Sequence, residues 1–179
     1  MNMKYTTFIL SAFLCTANLY ASNQAIATEN NITVQNQWKG KKVAYLGDSI
    51  TDKIHVGTSK NYWQYLEEKL GIEPWVYGIN GHQWSDLLGQ AQKLKEEKGG
   101  EMDAIFIFAG TNDFYANVPL GEWYTETYQR VEVSGRIKRA RKHRDFQMNG
   151  KTLRGRINQV LSYLKTNFPE QQIILLTPI

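Results

Sequence analysis

The fully apolar run AIFIFA at residues 104–109 is the feature that most constrains how this chain can fold. It shows no alternation between polar and apolar residues, so a strand at this position must be covered on both faces. Strands of that kind belong to parallel sheets with helices packed on either side. The run therefore predicts an α/β protein with this strand inside its sheet.

The segments around this run alternate between strand and helix patterns. Further short apolar strands are predicted at residues 43–46, 74–79 and 172–177. Apolar residues at helical spacing predict three helices, at residues 61–70, 84–98 and 152–168. The order strand, helix, strand, helix, strand is that of a doubly wound parallel sheet.

Each of the first three strands is followed by a polar, glycine-containing cluster. These clusters are residues 47–49 (Gly-Asp-Ser), 80–82 (Asn-Gly-His) and 110–113 (Gly-Thr-Asn-Asp). Parallel strands point the same way, so the clusters converge at one edge of the sheet, where ligands bind in open α/β folds. A serine there can be a nucleophile, or it can simply cap the following helix.

Composition limits the size of the protein and its partners. With 179 residues, 42% of them hydrophobic, the chain is long enough for one domain and too short for two. Its net charge of +4 is local, because residues 130–156 hold ten Lys or Arg and two Asp or Glu, against eleven and fifteen elsewhere. A basic run without a recognised motif is more often a solvated surface than a nucleic-acid footprint, so we expect no nucleic-acid partner.

Residues 1–21 have the layout of a secretory signal peptide, with an early lysine, a short apolar stretch and small residues after it. The stretch is too short to span a bilayer, so we expect no stable membrane span in the mature chain. Residues 22–37 are expected to follow as a flexible leader. The protein is thus expected to be secreted or periplasmic. A lipoprotein anchor through Cys15 is disfavoured, because bulky Leu14 stands where a small residue is wanted.

Residues 114–151 form a long connection without helical periodicity, which in a compact domain is usually a functional segment. Its first part is aromatic and includes Tyr115 and Trp123, and its second part is the basic run, with a β-hairpin turn expected near Ser134 and Gly135. Aromatic rings beside a catalytic edge can stack on sugars, but packing within the protein explains them equally well.

Three motifs at successive strand ends carry a family resemblance: Gly47-Asp48-Ser49-Ile50, Gly81, and Gly110-Thr111-Asn112-Asp113. Over residues 41–113 the chain resembles the first three signature blocks of the SGNH, or GDSL, hydrolase family of serine esterases. The resemblance implies a three-layer, flavodoxin-like α/β fold, a parallel sheet with helices on both faces, for a domain at residues 38–179. It also implies an ester hydrolase without metal or cofactor.

The resemblance also implies roles for single residues. Ser49 matches the nucleophile, while the backbone N–H groups of Ser49 and Gly81 and the side-chain amide of Asn112 match the oxyanion donors. Asp48 and Asp113 are expected to hold loops through hydrogen bonds to backbone N–H groups. Three further residues are candidates for contact with the substrate: His82, Tyr115 and Trp123.

The family's fourth block, an Asp-x-x-His near the carboxyl terminus that supplies the base and its orienting acid, is not found in this sequence. Asp52 and His55 have its spacing directly after the nucleophile, outside the structural context of the motif. His82 is a better substitute, although a substrate-contacting or surface role is favoured for it, and His143 is expected to be solvated. We expect a fragment of an intact enzyme or, less favoured, a shortened relative without catalysis.

The sequence thus predicts an exported serine esterase or deacylase. Because the base is missing, these 179 residues by themselves are expected to hydrolyse esters poorly. Export and the aromatic residues favour acylated carbohydrate as the substrate, with lipid acyl esters as the competing class. The alternative is a noncatalytic glycan-binding relative that uses the aromatic and basic residues of 114–151.

Overall fold

The computed structural model describes residues 36–177, without the side chains of residues 137–139. The predicted signal peptide at 1–21, Cys15 and nearly all of the predicted leader at 22–37 lie outside the described residues. The elements in chain order are β1 (Lys42–Gly47), α1 (Tyr62–Leu70), β2 (Glu73–Val76), α2 (Trp84–Lys98), β3 (Ala104–Phe108), α3 (Thr111–Tyr115), β4 (Tyr124–Val133), β5 (Arg136–Phe146), α4 (Leu153–Asn167) and β6 (Gln172–Leu176).

Four strands form a parallel sheet in the order β2-β1-β3-β6. The apolar run forms an interior strand, because Ile105 of β3 pairs with Ala44 of β1 on one side and with Ile173 of β6 on the other. Ile105 is fully buried, as the lack of alternation predicted.

Helices cover both faces of the sheet. On one face, Leu87 and Leu94 of α2 pack with Leu164 of α4. On the other face, Trp63 of α1 packs with Tyr45 of β1. These two apolar clusters confirm the predicted three-layer α/β fold.

Two local features differ from the sequence-based prediction. β2 ends at Val76, although the backbone N–H of Ile79 still donates to the Gly47 carbonyl at 3.1 Å. Regular pairing stops where Gly78 packs directly against Thr51 of the loop after β1. The second feature is α3, a five-residue helix that begins at the polar cluster after β3 and that no periodicity predicts.

The long connection contains the expected β-hairpin, formed by β4 and β5. Its turn residues Ser134 and Gly135 have φ angles of 55° and 70°, the positive values that a two-residue type I′ turn requires. None of the described side chains of these two strands is buried. Within residues 36–177, no helix is both long and apolar enough to cross a membrane.

Candidate active site

Ser49 lies half buried in a tight turn at the carboxyl end of β1. The backbone N–H groups of Thr51 and Asp52 both donate to the Asp48 carbonyl at 3.0 Å. The chain therefore makes a single hydrogen-bonded turn around the serine, and three surrounding side chains hold this turn in place.

The first of these side chains is Asp48, which is 1% exposed. Its Oδ1 accepts the backbone N–H of Ile50 at 3.1 Å, as expected for a residue that holds the loop. Its Oδ2 is buried without a hydrogen-bond partner among the described residues. Burial raises the pKa of this carboxyl above its ordinary value, and the nearby charge of Asp113 raises it further.

The second is Thr51, which is fully buried beneath the turn. Two glycines leave the space for it: a Cβ on Gly47 would come within 2.4 Å of the Thr51 Oγ1, and one on Gly78 within 2.5 Å of the Thr51 Cβ. Trp63 Nε1 donates to the Thr51 carbonyl at 3.0 Å. The glycine of the Gly-Asp-Ser motif therefore has a packing role, because a larger residue would displace the threonine that supports the serine turn.

The third is Asp52, which connects the serine turn to the second strand-end loop. Its Oδ2 accepts the backbone N–H of Asn80 at 2.6 Å, and its Oδ1 accepts that of Ile54 at 3.0 Å. Both carboxylate oxygens thus accept backbone N–H groups, and within residues 36–177 this carboxylate makes no hydrogen bond to the His55 ring. Asp52 therefore holds the loop that contains His55 and links it to the second strand end.

Asn112, in α3 directly after the third strand, joins that strand end to the second strand-end loop. Its Nδ2 donates to the His82 carbonyl at 2.9 Å, and Gln83 Nε2 donates to the Asn112 carbonyl at 3.3 Å. Gly81, next to His82, has a φ of 82°, which glycine adopts without strain. Together with the link from the serine turn to Asn80, these contacts tie all three strand-end loops into one cluster.

Gln90 of α2, a residue that sequence patterns do not single out, orients His82. Its Oε1 accepts the backbone N–H of Gly47 at 2.9 Å and its Nε2 donates to the Gly47 carbonyl at 2.8 Å, so the backbone fixes which way the amide points. The same Nε2 is 2.9 Å from His82 Nδ1. Because Nδ1 accepts this bond, the neutral imidazole carries its proton on Nε2. In this arrangement His82 offers a donor and has no free lone pair for a proton from Ser49.

Asp113 is fully buried and connects three helices. Its Oδ2 accepts the backbone N–H of Trp84 at the start of α2 at 2.9 Å, which is the loop-holding contact expected from the sequence. Its Oδ1 accepts Nη1 of Arg156 in α4 at 2.8 Å. Arg156, whose side chain is 15% exposed, also donates to Gln83 Oε1 at 2.9 Å. No sequence pattern predicts this ion pair, because its partners are 43 residues apart.

Two cavities flank the joined loops, and the predicted substrate-contacting residues lie in different ones. His82 lines a groove of about 740 Å³ between β2 and α2. Tyr115 and Trp123 line a mainly apolar cavity of about 690 Å³ on the side of β6. The three residues do not share one cavity, because β2 and β6 are opposite edges of the sheet. The residues that match the nucleophile and the oxyanion donors line neither cavity within the described part of the chain.

Among residues 36–177, no group of three or more His, Cys, Asp or Glu side chains is placed to hold a metal ion. His143 is half exposed on β5 and lies 3.0 Å from Asp145, which agrees with the solvated position expected for it.

A parallel sheet with a serine, a glycine and an asparagine on three joined strand-end loops defines a doubly wound α/β protein of the GDSL type. The chain belongs to the GDSL-like lipase/acylhydrolase family, whose model matches residues 45–179. A search among curated proteins finds no significant match.

Solved structures with this fold include a protein from Lactobacillus plantarum, with a TM-score of 0.58 and 22% identity over 79% of this chain and 57% of that one. A possible lipase from Chitinophaga pinensis has a TM-score of 0.55 and 22% identity, over 78% and 49% of the two chains. A psychrotrophic esterase from a Pseudoalteromonas species has a TM-score of 0.50 and 14% identity, over 77% and 61%. The chain thus spans about half to three fifths of the length of these proteins.

Proposed function

We propose that this protein is an exported serine esterase or deacylase that hydrolyses ester bonds of acylated carbohydrate through an acyl-enzyme on Ser49. The observation that carries the proposal is that hydrogen bonds connect the three strand ends that bear Ser49, Gly81 and Asn112. Asp52 accepts from Asn80, and Asn112 donates to the His82 carbonyl. Membership of a family of lipases and acylhydrolases supports the same chemistry.

In the proposed reaction, the Ser49 hydroxyl attacks the acyl carbon and the carbonyl oxygen becomes an oxyanion. The backbone N–H groups of Ser49 and Gly81 and the second Nδ2–H of Asn112 donate to this oxyanion. Collapse of the intermediate releases the alcohol, and water then cleaves the acyl-serine bond to give the acid and free Ser49.

The first step needs a base that takes the serine proton, and no residue in the described part of this chain is well placed to act as that base. His82 holds its Nδ1 in the bond from Gln90, and the sequence has no carboxyl-terminal Asp-x-x-His. We therefore expect the 179 residues alone to hydrolyse esters several powers of ten more slowly than an enzyme with a complete triad.

Ser49→Ala tests the nucleophile, with Ser162→Ala at an exposed position of α4 as the matched control. After incubation with p-nitrophenyl acetate, intact-mass measurement is expected to detect one acetyl group on the wild type and on the control, and none on Ser49→Ala. Asn112→Ala should lower the rate of acetylation by about 10²–10³, the usual effect of removing one oxyanion donor. Equal acetylation of Ser49→Ala and wild type would refute the proposal and favour the noncatalytic glycan-binding alternative.

Acylated carbohydrate is proposed as the substrate because aromatic side chains line the cavity beside the third strand-end loop. Tyr115 is 76% and Trp123 40% exposed there, so both rings are accessible for stacking on a sugar. Tyr115→Ala is expected to slow acetyl release from an acetylated polysaccharide more than hydrolysis of p-nitrophenyl acetate. Tyr65→Ala, at an exposed position of α1, should slow neither. Faster turnover of a medium-chain lipid ester than of the polysaccharide would contradict this assignment.

Export is proposed from the layout of residues 1–21. Expression with and without these residues, followed by cell fractionation, tests it. Recovery of a shortened chain outside the cytoplasm only when residues 1–21 are present is the expected result, and equal retention of both forms in the cytoplasm would contradict it.

A further inference from the structure

The net positive charge of this protein is concentrated in the β4–β5 hairpin. Residues 124–146 hold seven Lys or Arg and three Asp or Glu, which leaves fourteen of each kind in the rest of the chain. The hairpin therefore carries a net charge equal to that of the whole chain, +4.

Within the hairpin, acidic and basic residues balance near the domain, and basic residues are in excess near the turn. In the half nearest the domain, Glu126 contacts both Lys142 and Arg144, the latter at 2.9 Å, and Asp145 lies 3.0 Å from His143. In the half nearest the turn, residues 130–141 hold five Lys or Arg and one acid. The first half is balanced, and the excess charge lies in this second half, which we call the hairpin tip.

Three of the five cations at the hairpin tip have no ionic partner within the described part of the chain. Arg130, Arg136 and Arg141 are exposed, and no described acidic side chain lies within ion-pair distance of them. Like charges on a two-stranded sheet repel one another and lower its stability. Since none of the described hairpin side chains is buried, packing does not offset this cost, whereas a bound anion would.

We propose that the hairpin tip, residues 130–141, binds an acidic polysaccharide and so holds the protein on the polymer that carries its ester groups. Four of the five cations are arginines, whose planar guanidinium pairs with both oxygens of a carboxylate. At about 3.3 Å per residue, the tip presents a strip of roughly 20 Å, which suits a linear polyanion. Its turn, Ser134 and Gly135, is small and polar and offers no apolar side chain to a membrane.

The choice of polysaccharide over other polyanions rests on the proposed function, because an esterase of acylated carbohydrate meets such polymers at its site of action. Exposed Tyr128, in the neighbouring part of β4, adds a ring that can stack on a sugar. Nucleic acid and anionic lipid offer phosphate in place of carboxylate, so direct binding measurements distinguish them from polysaccharide.

The test measures binding of the full chain to polygalacturonate, and to its neutral methyl ester, by affinity electrophoresis at increasing NaCl. The wild type is expected to bind the acid form only, and more weakly as salt screens the charges. Arg136→Gln/Arg141→Gln should weaken binding on the order of tenfold, the effect of losing two exposed ionic contacts. Lys69→Gln/Lys165→Gln removes the same charge from exposed ends of α1 and α4 and should change binding less than twofold.

Equal losses in the two double variants would show that overall charge alone is responsible and would overturn the proposal. So would tighter, Arg136- and Arg141-dependent binding to duplex DNA or to phosphatidylglycerol vesicles at the same salt concentration. Ser49→Ala should retain full polygalacturonate binding, so failure of the esterase proposal and failure of this one are measured separately.

Discussion

The carboxylate of Asp48 lies beside Ser49 at a position that is almost closed to solvent. Its pKa is raised, mainly by burial, so the native state holds the carboxyl proton more tightly than the unfolded chain, in which the pKa of an aspartate is about 3.9. Between the unfolded and the folded pKa the native state binds more protons, and stability therefore falls as pH rises through that window. Ionisation of this carboxyl therefore lowers the stability of the turn that presents the serine.

Asp48→Asn is expected to remove this penalty, because asparagine keeps an Oδ1 acceptor for Ile50 and does not ionise. Urea unfolding should show that the stability advantage of the variant over the wild type grows as pH rises above about 4. Asp103→Asn is the control of opposite sign. The Lys41 ammonium and the Lys42 backbone N–H lower the pKa of Asp103, so its contribution is present at neutral pH and is lost as pH falls. A pH-independent difference for Asp48→Asn would contradict the expectation.

His82 gives a second expectation at the residue scale. Since Gln90 donates to its Nδ1, the ¹⁵N spectrum of the wild type should show a pyridine-like Nδ1 and a pyrrole-like Nε2 for His82. Gln90→Leu removes the donor and should raise the population of the Nδ1-protonated form, while exposed His143 keeps its spectrum. A pyrrole-like Nδ1 in the wild type would contradict the assignment and restore His82 as a base.

Single-residue roles were predictable from the sequence only where they belong to a local motif. The placement of Ser49 and Asn112 at strand ends follows from strand patterns and from the direction of parallel strands. The contacts of Gln90 with Gly47 and of Arg156 with Asp113 do not, because each joins residues 43 apart through folding of the whole sheet. The only local signal for such positions is a polar residue on an otherwise apolar helix face, and it names no partner.

At the scale of elements, the ion pair between Asp113 and Arg156 connects α3 to α4, and the second oxygen of Asp113 holds the start of α2. Asn112 lies in α3 itself, and His82 lies in the loop that precedes α2. A buried pair is weak evidence for added stability, but removal of one partner leaves an uncompensated buried charge.

Arg156→Met is therefore expected to lower the free energy of unfolding by about 3–5 kcal/mol, measured by urea denaturation. Adding Asp113→Asn to it should restore part of the loss, because the remaining side chain no longer carries a charge. Lys165→Met, at an exposed position of the same helix, should stay within about 0.5 kcal/mol of the wild type. A loss below 1 kcal/mol for Arg156→Met would show that water or another cation compensates Asp113.

Periodicity predicted the strands and helices correctly where burial is regular. The observed bounds differ from the predicted ones where a single long-range contact ends an element. The interior strand was recognisable because both its faces are covered. The early end of β2 could not be recognised from the sequence, because it depends on the packing of Gly78 against Thr51, 27 residues earlier in the chain. The hairpin turn at Ser134 and Gly135 was recognisable, because positive φ angles at two adjacent positions favour small residues.

At the scale of the molecule, the hairpin is separable from the packed layers. Its base is closed by contacts outside the strands: the backbone N–H of Gln147 donates to the Trp123 carbonyl at 3.0 Å. Asn158 of α4 donates to the carbonyls of both residues, at 2.8 and 2.9 Å. Helix α4 therefore holds the two ends of the hairpin together through residues that lie outside β4 and β5.

Replacing residues 125–145 by Asn-Gly, between the paired residues Tyr124 and Phe146, is thus expected to change the free energy of unfolding by less than about 1 kcal/mol. The replacement leaves fourteen basic and fourteen acidic residues, so solubility at pH 7 should fall, because a net charge of zero removes the repulsion between molecules. Urea unfolding and precipitation by polyethylene glycol measure the two effects. Arg136→Gln/Arg141→Gln removes half of the net charge and keeps the hairpin. Its solubility should lie between that of the wild type and that of the deletion variant. A loss of stability above 3 kcal/mol on deletion would instead make the hairpin part of the cooperative fold.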